Sequence, residues 1–340
     1  MDHQKDKAGK IECAVSETTC PRSFTLSSKT PEKNMVSPFS RARAKFFSSP
    51  AAVSAAVITT VLVAAAVLCE LHGIYSTLTE TTPLWERIYA TPYSPPGAGT
   101  VLGTDYQGRS VLFRALAGTI PAFKVGLVAG MISVSIGTIL GICAGFFRGK
   151  TDDIVVWIYS TFASMPTLLF ILSFALLSVS SPFLRGFLEK TGALLRIDAG
   201  ALAVYLAIGM TGWVGLCRVI RAETLKLRSQ AYVNAARIAG VGSCVIIFRH
   251  ILPNVRHLTI IYFTLNFGGA VMLEVLVGYL GLGGSSSVPG WGSMIAAGQE
   301  RLWRGVWWEL GAAGALMFIM ILALNLLGDS LRDALDPRSS

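Results

Sequence analysis

Apolar residues in this chain fall into long blocks. They show neither the alternation of a half-buried strand nor the narrow stripe of a surface helix. The first block, about Ala51 to Cys69, is close to the ~20 residues needed to cross a hydrocarbon core. The second, about Arg114 to Phe147, is too long for one upright span, so its first turns are expected at the interface. Inside it Gly126 and Gly130, then Gly137, Gly141 and Gly145, share one helix face and predict a groove for a neighbouring helix. The third block, about Ile154 to Val179, is interrupted by Pro166, where a kink is expected. Three more run from about 199 to 217, 258 to 280 (holding Asn266 and Glu274) and 310 to 327. This pattern predicts an all-α integral membrane protein with six transmembrane helices.

The polar stretches divide the rest. Residues 1–46 have little apolar periodicity and read as a disordered cytoplasmic tail, too long and polar for a cleavable signal peptide. Residues 47–72 hold the first transmembrane helix and 73–113 an external loop. Residues 114–338 form a core with five transmembrane helices and a cytoplasmic loop at 218–256. A Pro/Gly/Trp-rich stretch, 288–294 with Trp303, Trp307 and Trp308, reads as an interfacial loop with an aromatic belt.

Composition supports the membrane reading: 52% of residues are hydrophobic and 14% charged. The net charge of +9 does not point to nucleic acid, because no aromatic-interleaved basic stripe or zinc-type spacing accompanies it. Arg218, Arg221, Lys226, Arg228, Arg237, Arg249 and Arg256 face only Glu223 in loop 218–256, which places that loop and both termini inside. The six cysteines are scattered without a Cys-x-x-Cys pair, so free thiols are expected. There is no Gly-x-x-x-x-Gly-Lys-Ser/Thr loop, so the chain itself is not expected to hydrolyse ATP. Its four histidines lack ligand spacing; no metal or cofactor is expected.

The basic loop is also the most patterned stretch. Ala231 to Ala239 favours a short helix, Gly240 and Gly242 break it, and Ile246 to Phe248 restart an apolar stripe that Pro253 carries into the next element. Helix, turn and second helix make a knob that another protein could grip. The spacing Ala235-Ala236, Gly240 and Leu252-Pro253 resembles the coupling signature of permease subunits of binding-protein-dependent ABC importers. Asn234 stands where that family has Glu, and His250 replaces an Ile. Arg249 to Asn254 looks most like the dipeptide/oligopeptide/nickel branch. Gly103-Thr104-Asp105 with Gly108-Arg109 resembles the branch's Gly-Thr-Asp-x-x-Gly-Arg-Asp element, with Ser110 in place of the last Asp. Gly278 to Gly283, Pro289 to Gly292 and Asn325 to Arg338 resemble its later elements.

The resemblance implies a type I importer fold in a bacterial inner membrane, with Tyr232, Ala235, Ala236, Gly240, Arg249, His250, Leu252 and Pro253 coupling to ATPases. It implies a second homologous permease, two cytoplasmic ABC ATPases and an external solute-binding protein as partners, beside the bilayer. Cargo would be di- or oligopeptides; nickel or another small solute remains open, as does a secondary transporter or channel. Asp105 either orders its loop or touches substrate. Glu274, with Asn266 on the same span, either holds subunits together or stands on the pathway.

Overall fold

A computed structural model describes residues 46–97, 99–282 and 288–335. The expected tail thus lies outside the described residues except for Phe46, as do Gly283 and the segment after Leu335. The described residues form helices α1 (Pro50–Leu78), α2 (Val111–Ala117), α3 (Thr119–Phe147), α4 (Lys150–Ser164), α5 (Thr167–Ser180) and α6 (Pro182–Leu195). They continue with α7 (Ala199–Arg228), α8 (Ala231–Ile238), α9 (Ser243–Ile246), α10 (Leu252–Tyr279), α11 (Trp291–Arg301) and α12 (Trp308–Leu335). Among the described residues there is no strand, only isolated bridges Ile88–Arg109 and Thr104–Ser110.

Five stretches are long and apolar enough to cross a membrane, and the bent pair α4–α5 makes a sixth. The protein is an all-α integral membrane protein. α1 runs past the expected end at residue 72 to Leu78. Ser49 caps its start and Pro50 sits at the first turn, where a missing N–H costs nothing. The long second block breaks at Gly118 into α2 and α3. Trp291 packs against that glycine, and its Nε1 donates to the Ala115 carbonyl at 2.8 Å.

The glycine face of α3 is the spine of the bundle. Phe267 and Phe263 of α10 lie over Gly126 and Gly130, while α7 lies along Gly137, Gly141 and Gly145. A Cβ at Gly141 would stand 2.9 Å from the Cys217 carbonyl oxygen and 2.8 Å from Ile220 Cβ. The helices are therefore backbone-close, held by van der Waals contact that any side chain would interrupt. α7 starts on Asp198, whose carboxylate accepts from the amides of Gly200 and Ala201. It does not end near Cys217 as its apolar pattern suggests. It runs on to Arg228, so Arg218, Arg221 and Lys226 ride on a helix and not in a loop.

Three further features were not expected. α4 and α5 meet at 92° around Pro166, a right-angle break where a kink was expected. The 180–198 return is mostly helix α6, and the Pro/Gly/Trp-rich loop contains helix α11. Where the basic turn enters α4, Asp152 and Asp153 lie in the first helical turn and favour its dipole. Arg221 forks onto Asp152 at 2.5 and 2.7 Å, tying α4 to α7.

Candidate functional site

The basic knob is built on one buried residue. Val233 is fully buried, packed with Ile142 and Phe146 of α3, Leu216 and Ile220 of α7, and Ile246, Ile251 and Val255 beyond the turn. α8 is amphipathic around that pin, and Ala236 packs beside it while Ala235 lies exposed. The chain then turns at Gly240 with φ +77°, a left-handed conformation that β-branched residues avoid. Its amide donates to the Arg237 carbonyl and the Val241 amide to that of Ala236, closing the turn. Nothing crowds the Gly240 Cα, so backbone strain alone should decide the effect of a substitution. Gly240→Val is expected to cost roughly 1–3 kcal/mol of local strain. Uptake should fall severalfold with membrane insertion unchanged, measured by ATP-driven uptake at matched protein level; unchanged uptake would contradict this.

After the turn there is no second loop. α9, one widened turn at Ile247–Ile251 and α10 make a single helical rod from Ser243 to Tyr279. Pro253 has no N–H to close an ordinary turn on the Arg249 carbonyl, which accounts for the widening. The Asn254 amide donates to the His250 carbonyl at 2.7 Å and to the Tyr232 hydroxyl at 3.3 Å, stitching α8 to the rod. The Tyr232 and His250 rings lie 6.0 Å apart. Arg249 and Pro253 are exposed, while Leu252 is half-buried against the same cluster. The knob presents Ile238, Phe248, Val245 and Tyr232 outward, with Ile238 89% and Phe248 68% exposed. Apolar residues this exposed on a basic knob suit contact with another protein. Sequence reading singled out Tyr232 for contact and placed Ile238 and Phe248 only in the helix and apolar stripe of the knob. It did not single out Val233 or Val245; the amphipathic spacing of Val233 and Ala236 is the signal that could have found the pin.

The second cluster lies at the opposite end. Asp105 is fully buried and accepts from the amides of Gln107 and Arg109 and from Arg109 Nε at 2.7 Å. Arg114 of α2 stands 3.4 Å from the same carboxylate, an ion pair without hydrogen-bond geometry. Thr104 Oγ1 donates to the Thr91 carbonyl and accepts from the Ser94 amide, both at 2.8 Å. Gly103, at φ +73°, lets Trp308 approach, and Trp308 Nε1 donates to the Thr104 carbonyl at 3.0 Å. Gly108 turns the backbone beneath Ala90. Trp308 is thus a buried anchor and not a member of an exposed belt; Trp303 and Trp307 remain exposed. Arg301 lies over the rings of Tyr93 and Tyr106 and 3.4 Å from Glu309, a buried carboxylate at the head of α12 that sequence reading passed over. The motif residues therefore act here as internal fasteners between the loop, α2, α11 and α12.

Glu274 is far from both clusters' motif residues in sequence and is buried in α10. Its Oε1 borders Gly290, where a Cβ would come within 3.4 Å. Asn266, two turns earlier, donates to the Gly212 carbonyl of α7 at 3.4 Å. Among the described residues no cation pairs with Glu274. An unpaired charge at membrane depth costs at least ~2.5 kcal/mol, so a shape-keeping neutral residue is expected to be tolerated. Glu274→Gln should assemble and transport within about twofold of the parent, whereas Glu274→Leu should assemble poorly, read by size-exclusion chromatography and uptake. Full assembly of the Gln variant with lost uptake would reverse this.

Five long apolar helices and the bent pair α4–α5, with a structured basic knob in one piece with a span, suit a membrane transport component. Residues 137–340 match the family described as binding-protein-dependent transport system inner membrane component. The chain belongs to this family of ABC-importer permeases, which are not enzymes. It is 30% identical over 297 residues to the oligopeptide transport system permease protein OppC of Haemophilus influenzae, covering 87% of this chain and 88% of the relative. It is 31% identical over 238 residues to the di/tripeptide transport system permease protein DppC of Pseudomonas aeruginosa, covering 70% and 72%. To OppC of Escherichia coli it is 29% identical over 297 residues, covering 87% and 90%.

Proposed function

We propose that this chain is one of two permease subunits of an ATP-driven importer of di- or oligopeptides, with the basic knob as the docking point for a separate ATPase. The observation that carries this reading is the knob itself. It is pinned by Val233, exposes Ile238 and Phe248, and is continuous with α10 through the membrane. Closure of an ATPase pair would push the knob, and the rod would pass that displacement across the bilayer. Rigid rocking of two permeases about their interface then alternates access. Positive charge on this side supports a cytoplasmic knob and cytoplasmic termini. The opposite loop, fastened through Asp105 and Trp308, would face a solute-binding protein. Peptide cargo is supported by the likeness to oligopeptide and di/tripeptide permeases, and radiolabelled nickel supplied in place of peptide tests the alternative. The importer, reconstituted with its permease, ATPase and binding-protein partners, is expected to accumulate labelled di- and tripeptides only with ATP inside the compartment that bears the ATPases. Accumulation driven by an ion gradient without ATP would refute it.

A further inference from the structure

The break between α4 and α5 has a chemical consequence at its depth. Phe162, two residues before the end of α4, meets Trp213 edge-on with ring centroids 5.7 Å apart. Trp213 is near the middle of α7, a helix about 45 Å long at 1.5 Å per residue. The apolar stretch of α7 ends at Arg218, so its centre lies near Ile208, about 7.5 Å from Trp213. α4 rises from the Arg148–Asp152 turn on the basic side, so Ala163–Thr167 lies between the level of Trp213 and that centre. This is within the ~30 Å hydrocarbon layer.

At that depth the backbone is open. The carbonyls of Ala163, Ser164 and Met165 and the amides of Thr167, Leu168 and Leu169 have no hydrogen-bond partner among the described residues. Pro166 has no N–H to offer. Ser164 Oγ and Thr161 Oγ1 serve only the carbonyls of Thr161 and Trp157. All five residues from Ala163 to Thr167 are exposed on the chain. Hydrocarbon cannot satisfy such groups, and irregular backbone persists at membrane depth only where protein buries it or water reaches it. Flanking exposed residues include hydroxyl-bearing Ser164 and Thr167, which suit water better than a dry helix contact.

We infer that the break at Ala163–Thr167 forms part of the wet wall of the translocation path, with its free amides and carbonyls solvated there and available to the peptide bonds of passing cargo. This rests on the permease reading above. The test uses Ser164→Cys and Thr167→Cys, both close in size to the native residue, in the reconstituted importer. A charged methanethiosulfonate reagent is added and each site is read by peptide-mapping mass spectrometry, so native cysteines can stay. Val61→Cys, an exposed apolar position of α1, is the comparison. Both break positions are expected to react at least tenfold faster than position 61, in the nucleotide-free or the vanadate-trapped state. Modification should lower ATP-driven peptide uptake at least tenfold. Rates equal to that of position 61 in both states would overturn the inference, showing a break sealed by the second permease or by lipid. Labelling is read without transport, so loss of the permease reading would show separately, as a parent complex that takes up no peptide.

Discussion

Val233→Asp is expected to abolish coupled uptake while leaving a membrane-inserted protein. Val233 is the one fully buried side chain of α8, so its replacement acts on the joint between knob and bundle and not on the spans. Burying a polar group without a partner costs roughly 2–7 kcal/mol, more than an eight-residue helix can recover by itself. α8 should therefore lift off Ile246, Ile251 and Phe146, and an ATPase bound to it would push on a loose segment. Peptide uptake by the reconstituted importer should drop at least tenfold, with basal ATP hydrolysis retained. Val233→Ala removes two methyl groups, roughly 1.6 kcal/mol at ~0.8 kcal/mol each, and should transport at a reduced rate. Normal uptake by the Asp variant would mean that the pin is not needed for transmission.

Gly141→Leu is expected to prevent folding altogether. The added Cβ alone would collide with the Cys217 carbonyl and Ile220, and neither can swing aside: one is backbone, the other a β-branched residue fully buried in α7. Overpacking of an ordinary core costs about 1–3 kcal/mol, and here two helix axes must also part along Gly137 and Gly145. Detergent extracts should show little monodisperse protein by size-exclusion chromatography. Gly141→Ala should retain a fraction, since it adds the Cβ without the rest of the side chain. A monodisperse Leu variant at parental yield would contradict the close α3–α7 approach.

Those two residues show what the sequence could and could not disclose. The glycine stripe was legible because one residue type repeated at helical spacing, and the turn after α8 because Gly240 permits a positive φ and Pro253 fixes its own φ and lacks an N–H. Pro166 marked a break but not its angle, since a right angle depends on what α5 finds to pack against. There Ile171 packs fully buried into a cluster that includes Leu188 of α6 and Leu202 of α7. Trp308 was misjudged for a related reason. An indole at a membrane boundary can sit in the headgroup layer or spend its N–H on a carbonyl, and only the folded loop brings the Thr104 carbonyl within 3.0 Å. Helix α6 hid in a loop because its apolar residues face two ways, Leu188 inward and Phe183 and Phe187 outward. Glu309 hid because it opens its helix, where an acid reads as a favourable first-turn residue.

The central claim is that the knob meets an ATPase and passes its motion into the membrane. Ile238, the most exposed apolar residue of the knob, can carry a photo-crosslinking side chain without disturbing the packing around Val233. In the reconstituted importer, illumination is expected to join this chain to an ATPase subunit, with a yield that changes between nucleotide-free and vanadate-trapped states. The crosslinked complex should lose peptide uptake. If uptake proceeds with no ATPase adduct at Ile238 in either state, the knob is not the coupling point and the account fails.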